Sequence, residues 1–217
     1  DFATPPGAAL AKQLCAGADV VIENFPRGGL ARFGLDAATL RASHPRLIYC
    51  SITGFGQDGP LADRPGYDFV VQAMGGIMDL TGEPAGAPQK PGVAYADLFT
   101  GLHAVIAIEA ALLRRERTGQ GATIDLALLD TQVSMLANQA MNYLVSGSTP
   151  HRLGNAHPNL VPYQVFTVAD GELVIAVGND NQFRRLVEVL GVPGLADDPC
   201  MRTNADRVAH RARVVAA

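Results

Sequence analysis

"ADVVIENFPRGGLARFGLDAATLRASHPRLIYCSI" (Ala18–Ile52) is the stretch whose reading decides the fold. It holds two short apolar runs, "ADVVIE" (Ala18–Glu23) and "RLIYCSI" (Arg46–Ile52), with a turn-rich "NFPRGG" and a helical stretch at about Leu35–Ser43 between them. Short continuous apolar runs are the pattern of strands covered on both faces, as in a parallel sheet. Parallel neighbours cannot be joined by a tight hairpin, so they need a crossover, and a helix supplies it. The stretch therefore reads as a βαβ unit. No GxGxxG opens its first turn, so the dinucleotide-binding fingerprint is absent.

Outward from that unit, Asp1–Leu14 reads as a turn entering an amphipathic helix. On the other side, "TGFGQDGPLADRPG" (Thr53–Gly66) is a Gly- and Pro-rich loop leaving the C-terminal end of the second strand. In open α/β sheets ligands bind at such ends. "YDFVVQAMGGIMDL" (Tyr67–Leu80) is helical with a glycine interruption, and "TGEPAGAPQKPG" (Thr81–Gly92) is a second long loop. The longest helix is expected at about Ala96–Arg117. Its Leu98, Leu102, Val105, Ile106, Leu112 and Leu113 fit a wide apolar stripe of the kind that faces a core. "GATIDLAL" (Gly121–Leu128) reads as a strand and about Leu129–Val145 as one helix.

Past Ser146 the texture changes. "SGSTPHRLGNAHPNLVPY" reads as a linker or elaborate loop, and "QVFTVADGELVIAV" as a hairpin built on Asp170–Gly171. "NDNQFRRLVEVLG" is a helix capped by Asn179 or Asp180. The expected class is α/β. A Rossmann-like large domain with a parallel sheet and flanking helices spans 1–147; a linker and part of a smaller α+β domain span 148–217. The chain starts without Met and stops inside a helical pattern, which reads as a segment of a longer protein.

The bulk numbers narrow the function. Of the 217 residues 18% are charged, and the net charge is −4. Phosphate surfaces need clustered Lys and Arg, so no nucleic-acid partner is expected. The three cysteines (Cys15, Cys50, Cys200) are sparse and odd in number, which suits reduced thiols and a cytoplasmic location. No CxxC or His-rich spacing suggests a metal. No 18-residue apolar run free of charge appears, so no membrane span is expected.

Asp97 then stands out: one carboxylate at the mouth of the longest apolar helix, followed by Thr100 and Gly101. An Asp there can simply cap the helix. It can also act as a nucleophile, with peptide dipoles and Thr100 as donors expected to favour its ionised form. A carboxylate that attacks an acyl carbonyl forms an anhydride, which must be kept from water.

Four segments in order, "ADVVIENFPRGGLARFGL", "SITGFGQDGPLADRPGYDFVVQAMGG", "YADLFTGLHAVIAIEAALLRRERTGQG" and "RLGNAHPNLVPY", resemble family III CoA-transferases, the group of formyl-CoA:oxalate and crotonobetainyl-CoA:carnitine transferases. The resemblance covers nearly the whole chain. It implies that Asp97 is the catalytic aspartate and passes through aspartyl anhydride and aspartyl–CoA thioester states. It implies that coenzyme A or its acyl thioester is a substrate, and that neither metal nor redox cofactor is used. Asn24, Phe25 and Pro26 match the family's CoA contact, Arg32 a basic residue meeting the CoA phosphates, Pro65, Gly66 and Asp68 further CoA-binding positions, and Tyr67, paired with Asp68 at the mouth of the next helix, a catalytic residue close to the reacting acyl group. Phe25 can alternatively fill a core, Arg32 decorate a surface, and Tyr67 be a buried, satisfied tyrosine. Relatives that racemise α-methylacyl-CoA carry His where Tyr67 stands, which favours transfer; the racemase and an inactive CoA-binding fragment are the alternatives. "NAHPNLVPY" departs from the glycine-rich lid of the oxalate enzymes, which points to larger acids such as dicarboxylates, with His157 and Asn159 as substrate-loop candidates. The family's full-length chains form an interlocked homodimer.

Overall fold

The computed structural model describes residues 1–217. The chain divides into two compact units: Asp1–Asp79 with Gln89–Gly147, and Leu80–Pro88 with Ser148–Ala217.

The first unit opens with α1 (Pro5–Ala16), whose N-terminus is capped by the Thr4 hydroxyl accepting from the Gly7 N–H. β1 (Val20–Glu23), α2 (Ala37–Ser43) and β2 (Ile48–Thr53) form the expected βαβ unit. Asp36 starts α2 by accepting from the Thr39 N–H at 3.0 Å. β1 and β2 pair in parallel from Val20↔Ile48 to Glu23↔Ser51. β3 (Thr123–Ala127) lies on the other edge of β2, also parallel, from Tyr49↔Thr123 to Thr53↔Ala127. β2 is therefore the centre of a three-stranded sheet, and Ile48, Tyr49, Cys50 and Ser51 are all buried. On one side Leu30, Leu35, Leu40, Leu47 and Tyr49 form a core. The buried Tyr49 hydroxyl donates to the Leu35 carbonyl at 2.9 Å.

The segment after β2 folds into α3 (Asp68–Met74) and α4 (Ile77–Leu80), separated at Gly75 and Gly76. α5 (Tyr95–Thr118) follows and ends at Gly119, whose φ of 71° is the left-handed stop that glycine favours. The inward face of α5 differs from the sequence expectation. Ala96, Thr100, Ala104, Ala111 and Arg115 are buried, whereas Leu98, Leu102, Val105, Ile106 and Leu113 are exposed. α5 lies against β2, β3 and α3, and small side chains let its backbone approach them closely. The large residues are left on the outer face. The stretch Tyr95–Leu113 carries only two charged residues, Asp97 and Glu109. By length and composition alone α5 could cross a membrane, with a mean hydropathy of 1.6 over 18 residues. Asp97 and Glu109 interrupt it, so α5 holds no charge-free apolar run of 18 residues, as expected from the sequence.

After β3, the single helix expected at about Leu129–Val145 is two: α6 (Leu128–Ser134) and α7 (Asn138–Ser146). Ala137 breaks the run with φ 49°. The Met135 carbonyl beside the break accepts from the Tyr95 hydroxyl at 3.3 Å, a bond made outside the helix ladder.

The second unit contains an antiparallel hairpin of β4 (Tyr163–Val168) and β5 (Gly171–Ala176). Val168 pairs with Gly171, so Ala169 and Asp170 make the turn, one residue before the expected position. α8 (Asp180–Val189) is capped by Asn179, which accepts from the Gln182 N–H at 3.0 Å. α9 (Asn204–Ala209) and α10 (Arg211–Ala216) complete it. Val161, Val177, Phe183, Val187, Met201 and Val214 form its core. Arg207 is wholly buried in this unit. It donates to the carbonyls of Val161 (2.7 Å) and Met201 (2.9 Å) and to Asp180 (2.9 Å), and lies 4.4 Å over the Phe183 ring. Leu80–Pro88 groups here: the Gly154 N–H donates to the Gly82 carbonyl at 3.1 Å.

Candidate active site

The site forms at the C-terminal end of β2. Gly54 and Gly66 touch backbone to backbone: a Cβ added to either would stand 2.4 Å from the other's Cα. Only glycine fits at such an approach. The intervening loop thus leaves and returns to one point, delivering Tyr67 and Asp68 to the sheet end. Two bonds fasten its first turn: Thr53 Oγ1 accepts from the Gly56 N–H and Asp125 from the Gln57 N–H, each at 2.9 Å.

Asp68 begins α3, yet its carboxylate serves α5. One oxygen accepts from the Ala96 N–H at 2.8 Å and the Asp97 N–H at 3.3 Å. The other accepts from Gln72 Nε2 at 2.6 Å. Ala94, at the start of α5, provides no side-chain cap. Asp68 therefore does from a distance what a capping residue does locally.

This leaves the Asp97 carboxylate uncommitted, and two expectations are corrected. Thr100 does not donate to Asp97; its hydroxyl is buried and donates to the Ala96 carbonyl one turn back, at 2.7 Å. Nor do such donors hold the Asp97 carboxyl at or below the ordinary carboxylate range. Burial, and then the like charge of Asp68, push its carboxyl above the ordinary range. Asp97 is thus exposed, without a hydrogen-bond partner, and more basic than a free aspartate.

A cleft of about 820 Å³ opens over this point. Asn24, Phe25, Pro26, Pro65, Gly66, Tyr67, Asp68 and Asp97 all line it, together with Thr100 and Gly101. Nothing lies within 4 Å of where a Gly101 Cβ would stand, so space is open beside the carboxylate. Tyr67 is 75% exposed, which removes the reading of a buried tyrosine. Phe25 is partly open, its ring edge-on to Phe2 at 5.6 Å, and its N–H donates to Glu23 at 2.8 Å. Glu23 also accepts from Ser51, which ties the end of β1 to β2.

Arg32 is not among the cleft residues. It packs over the Phe33 ring at 4.6 Å and lines a separate hollow with Thr4 and Lys12. His157 and Asn159 belong to the second unit. There His157 Nδ1 accepts from the Asn159 N–H at 3.0 Å, and its ring lies 5.1 Å from that of Tyr163. Conversely, the sequence reading passed over two cleft arginines. Arg27 is paired with Asp63 at 3.0 Å, while Arg64 makes no ion pair. It also passed over Gln72, whose only sequence signal is its place one helical turn after Asp68. No group of three or more His, Cys, Asp or Glu is gathered in a way that could hold a metal ion.

The profile of CoA-transferase family III matches residues 1–217. The chain belongs to that family. Family III relatives include the succinate–glutarate CoA-transferase of Agrobacterium fabrum, 59% identical over 214 residues, covering 99% of this chain and 54% of the relative. The succinyl-CoA:glutarate CoA-transferase of Homo sapiens is 43% identical over 211 residues, covering 97% and 48%. The acetyl-CoA:oxalate CoA-transferase of Acetobacter aceti is 44% identical over 201 residues, covering 92% and 52%. The chain thus spans about half the length of the curated relatives it matches. Among solved structures, a CaiB/BaiF family protein from Brucella suis is 59% identical with a TM-score of 0.81, covering 100% of this chain and 57% of that one. A Mycobacterium tuberculosis protein is 31% identical with a TM-score of 0.86, covering 100% and 56%.

Proposed function

We propose that the protein acts in CoA transfer between carboxylic acids, with Asp97 as the attacking group and an acyl-CoA such as succinyl-CoA as donor. The observation that carries the reading is the unpartnered, basic Asp97 carboxylate opening into a cleft at the end of a parallel sheet. Relatives named as succinate–glutarate transferases support a dicarboxylate as acceptor.

In this reading Asp97 Oδ attacks the thioester carbonyl, the C–S bond breaks, and CoA leaves as thiolate. An aspartyl–acyl anhydride remains. The thiolate attacks the aspartyl carbonyl and expels the donor acid as carboxylate, giving an aspartyl–CoA thioester. The acceptor carboxylate attacks that thioester and releases the thiolate again. The thiolate takes the acceptor acyl group from the second anhydride and frees Asp97. Transfer between thioesters is close to isoenergetic, so the protein's task is positioning and protection. Tyr67 stands at the reacting end. Asn24, Phe25 and Pro26 flank the entering pantetheine, and Arg27 and Arg64 supply positive charge at the cleft wall. A tyrosine at position 67, where racemising relatives carry a histidine base, favours transfer over racemisation.

The reading extends to a homodimer, in which a second copy covers the outer face of α5 beside the cleft. Leu98 and Leu102, exposed there on either side of Gly101, support this. The three free cysteines support a reducing, cytoplasmic compartment. The test is mass spectrometry after incubation with succinyl-CoA and hydroxylamine. Modification of Asp97, lost in Asp97→Ala together with transfer to glutarate, is expected. Normal transfer by Asp97→Ala would overturn the reading.

A further inference from the structure

We propose that Gln72 is a positioning residue for this reaction: through Asp68 it holds the first turn of α5, and with it Asp97, in place. The proposal rests on the reading of Asp97 as the attacking carboxylate. Gln72 does not line the cleft. It is completely buried on α3, where water cannot stand in for it. Its Nε2 donates to the Asp68 oxygen that α5 does not use, at 2.6 Å, and reaches the Val93 carbonyl at 3.4 Å. Val93 lies two residues before α5 begins. One amide group therefore grips both the carboxylate that holds the α5 amides and the chain that enters α5. Without it the Asp68 carboxylate is free to rotate away from the Ala96 and Asp97 N–H groups.

The same side chain carries an unexplained burden. Gln72 Oε1 is buried with no hydrogen-bond partner. An orphaned buried acceptor is destabilising, and a methionine would occupy similar volume without one. A donor kept here at a cost in stability points to what it orients rather than to what it fills.

The experiment compares the wild type with Gln72→Met and Gln72→Glu. Met removes the donor and keeps the volume. Glu, wholly buried at this position beside a carboxylate, is held protonated and restores an O–H donor towards the same oxygen. Rates of succinyl-CoA:glutarate transfer and of Asp97 acylation by mass spectrometry are measured on all three. Misplacing a reacting group by about 1 Å costs on the order of a hundredfold. The expected result for Gln72→Met is a fall in kcat of about ten- to a hundredfold, with KM for succinyl-CoA within about twofold. Gln72→Glu is expected to recover most of the loss. A residue that only fills space gives the opposite order, with the apolar variant the better one. Wild-type acylation of Asp97 alongside an unimpaired Gln72→Met, or a Gln72→Glu worse than Gln72→Met, overturns this inference alone. A wild type that never acylates Asp97 overturns the functional reading and this inference with it.

Discussion

Asp97→Ala and Asp68→Ala should have opposite consequences for stability, against the usual expectation for an aspartate at a helix mouth. A capping Asp replaced by Ala costs about 0.5–2 kcal/mol. Asp97 makes no such bond; its own N–H and that of Ala96 are held by Asp68. Its removal should therefore stay within about 0.5 kcal/mol, as for an ordinary exposed site. The sign leans towards stabilisation. The Asp97 carboxyl is raised by burial and by Asp68, so the folded chain binds that proton more tightly than the unfolded chain does. Its ionisation costs stability at neutral pH, and the cost disappears as pH falls below the ordinary carboxylate value near 3.9. Asp68→Ala instead strips two α5 amides of their acceptor and leaves the buried Gln72 Nε2 with only the long Val93 contact. Lost capping and an unsatisfied buried donor together should cost about 2–3 kcal/mol. Urea unfolding followed by circular dichroism, at neutral pH and near pH 3–4, measures both. An Asp97→Ala loss above about 1 kcal/mol, with Asp68→Ala nearly neutral, would refute the assignment of the cap to Asp68.

Three further outcomes follow from the same geometry. Only ionised Asp97 attacks, so the acid limb of the acylation rate should lie above the ordinary aspartate range; Asp68→Asn, which removes the second cause of the shift, should move it to lower pH in a pH–rate profile. Gly66→Ala should drop transfer activity at least about tenfold, because its Cβ collides with Gly54 and pushes Tyr67 and Asp68 off the sheet end; retained activity would mean that the close approach is dispensable. Arg207→Met should destabilise the second unit by about 3 kcal/mol, since it leaves the Val161 and Met201 carbonyls and Asp180 without their donor, and a thermal melt reads this as a large drop in Tm.

The strands were legible because a buried parallel strand writes itself as a short apolar run: β1 and β3 fall within the stretches that predict them, and β2 runs one residue past its own, to Thr53. The orientation of α5 was not legible. Sequence patterning weighs large apolar residues most, whereas this helix turns alanines and Thr100 inward because it must come close to a sheet. The break at Ala137 was hidden, since alanine carries no turn signal and its φ is imposed by surroundings. Most of the candidate site lay in the four motifs, and Asn24, Phe25, Tyr67, Asp68 and Asp97 converge on one cleft. What the linear pattern hid was the division of labour inside it. Whether an aspartate caps its own helix or one 28 residues further along is a matter of tertiary geometry. Thr100, a plausible donor by spacing, was lost to the carbonyl behind it by the same local competition that affects hydroxyls in any helix.

The Gly54–Gly66 contact closes the intervening segment like a clasp. Residues between the two glycines can lengthen, shorten or change character while Tyr67 stays anchored to the sheet, because the path is pinned where it departs and where it comes home. Variation between the two glycines can thus leave the placement of Tyr67 and Asp68 unchanged.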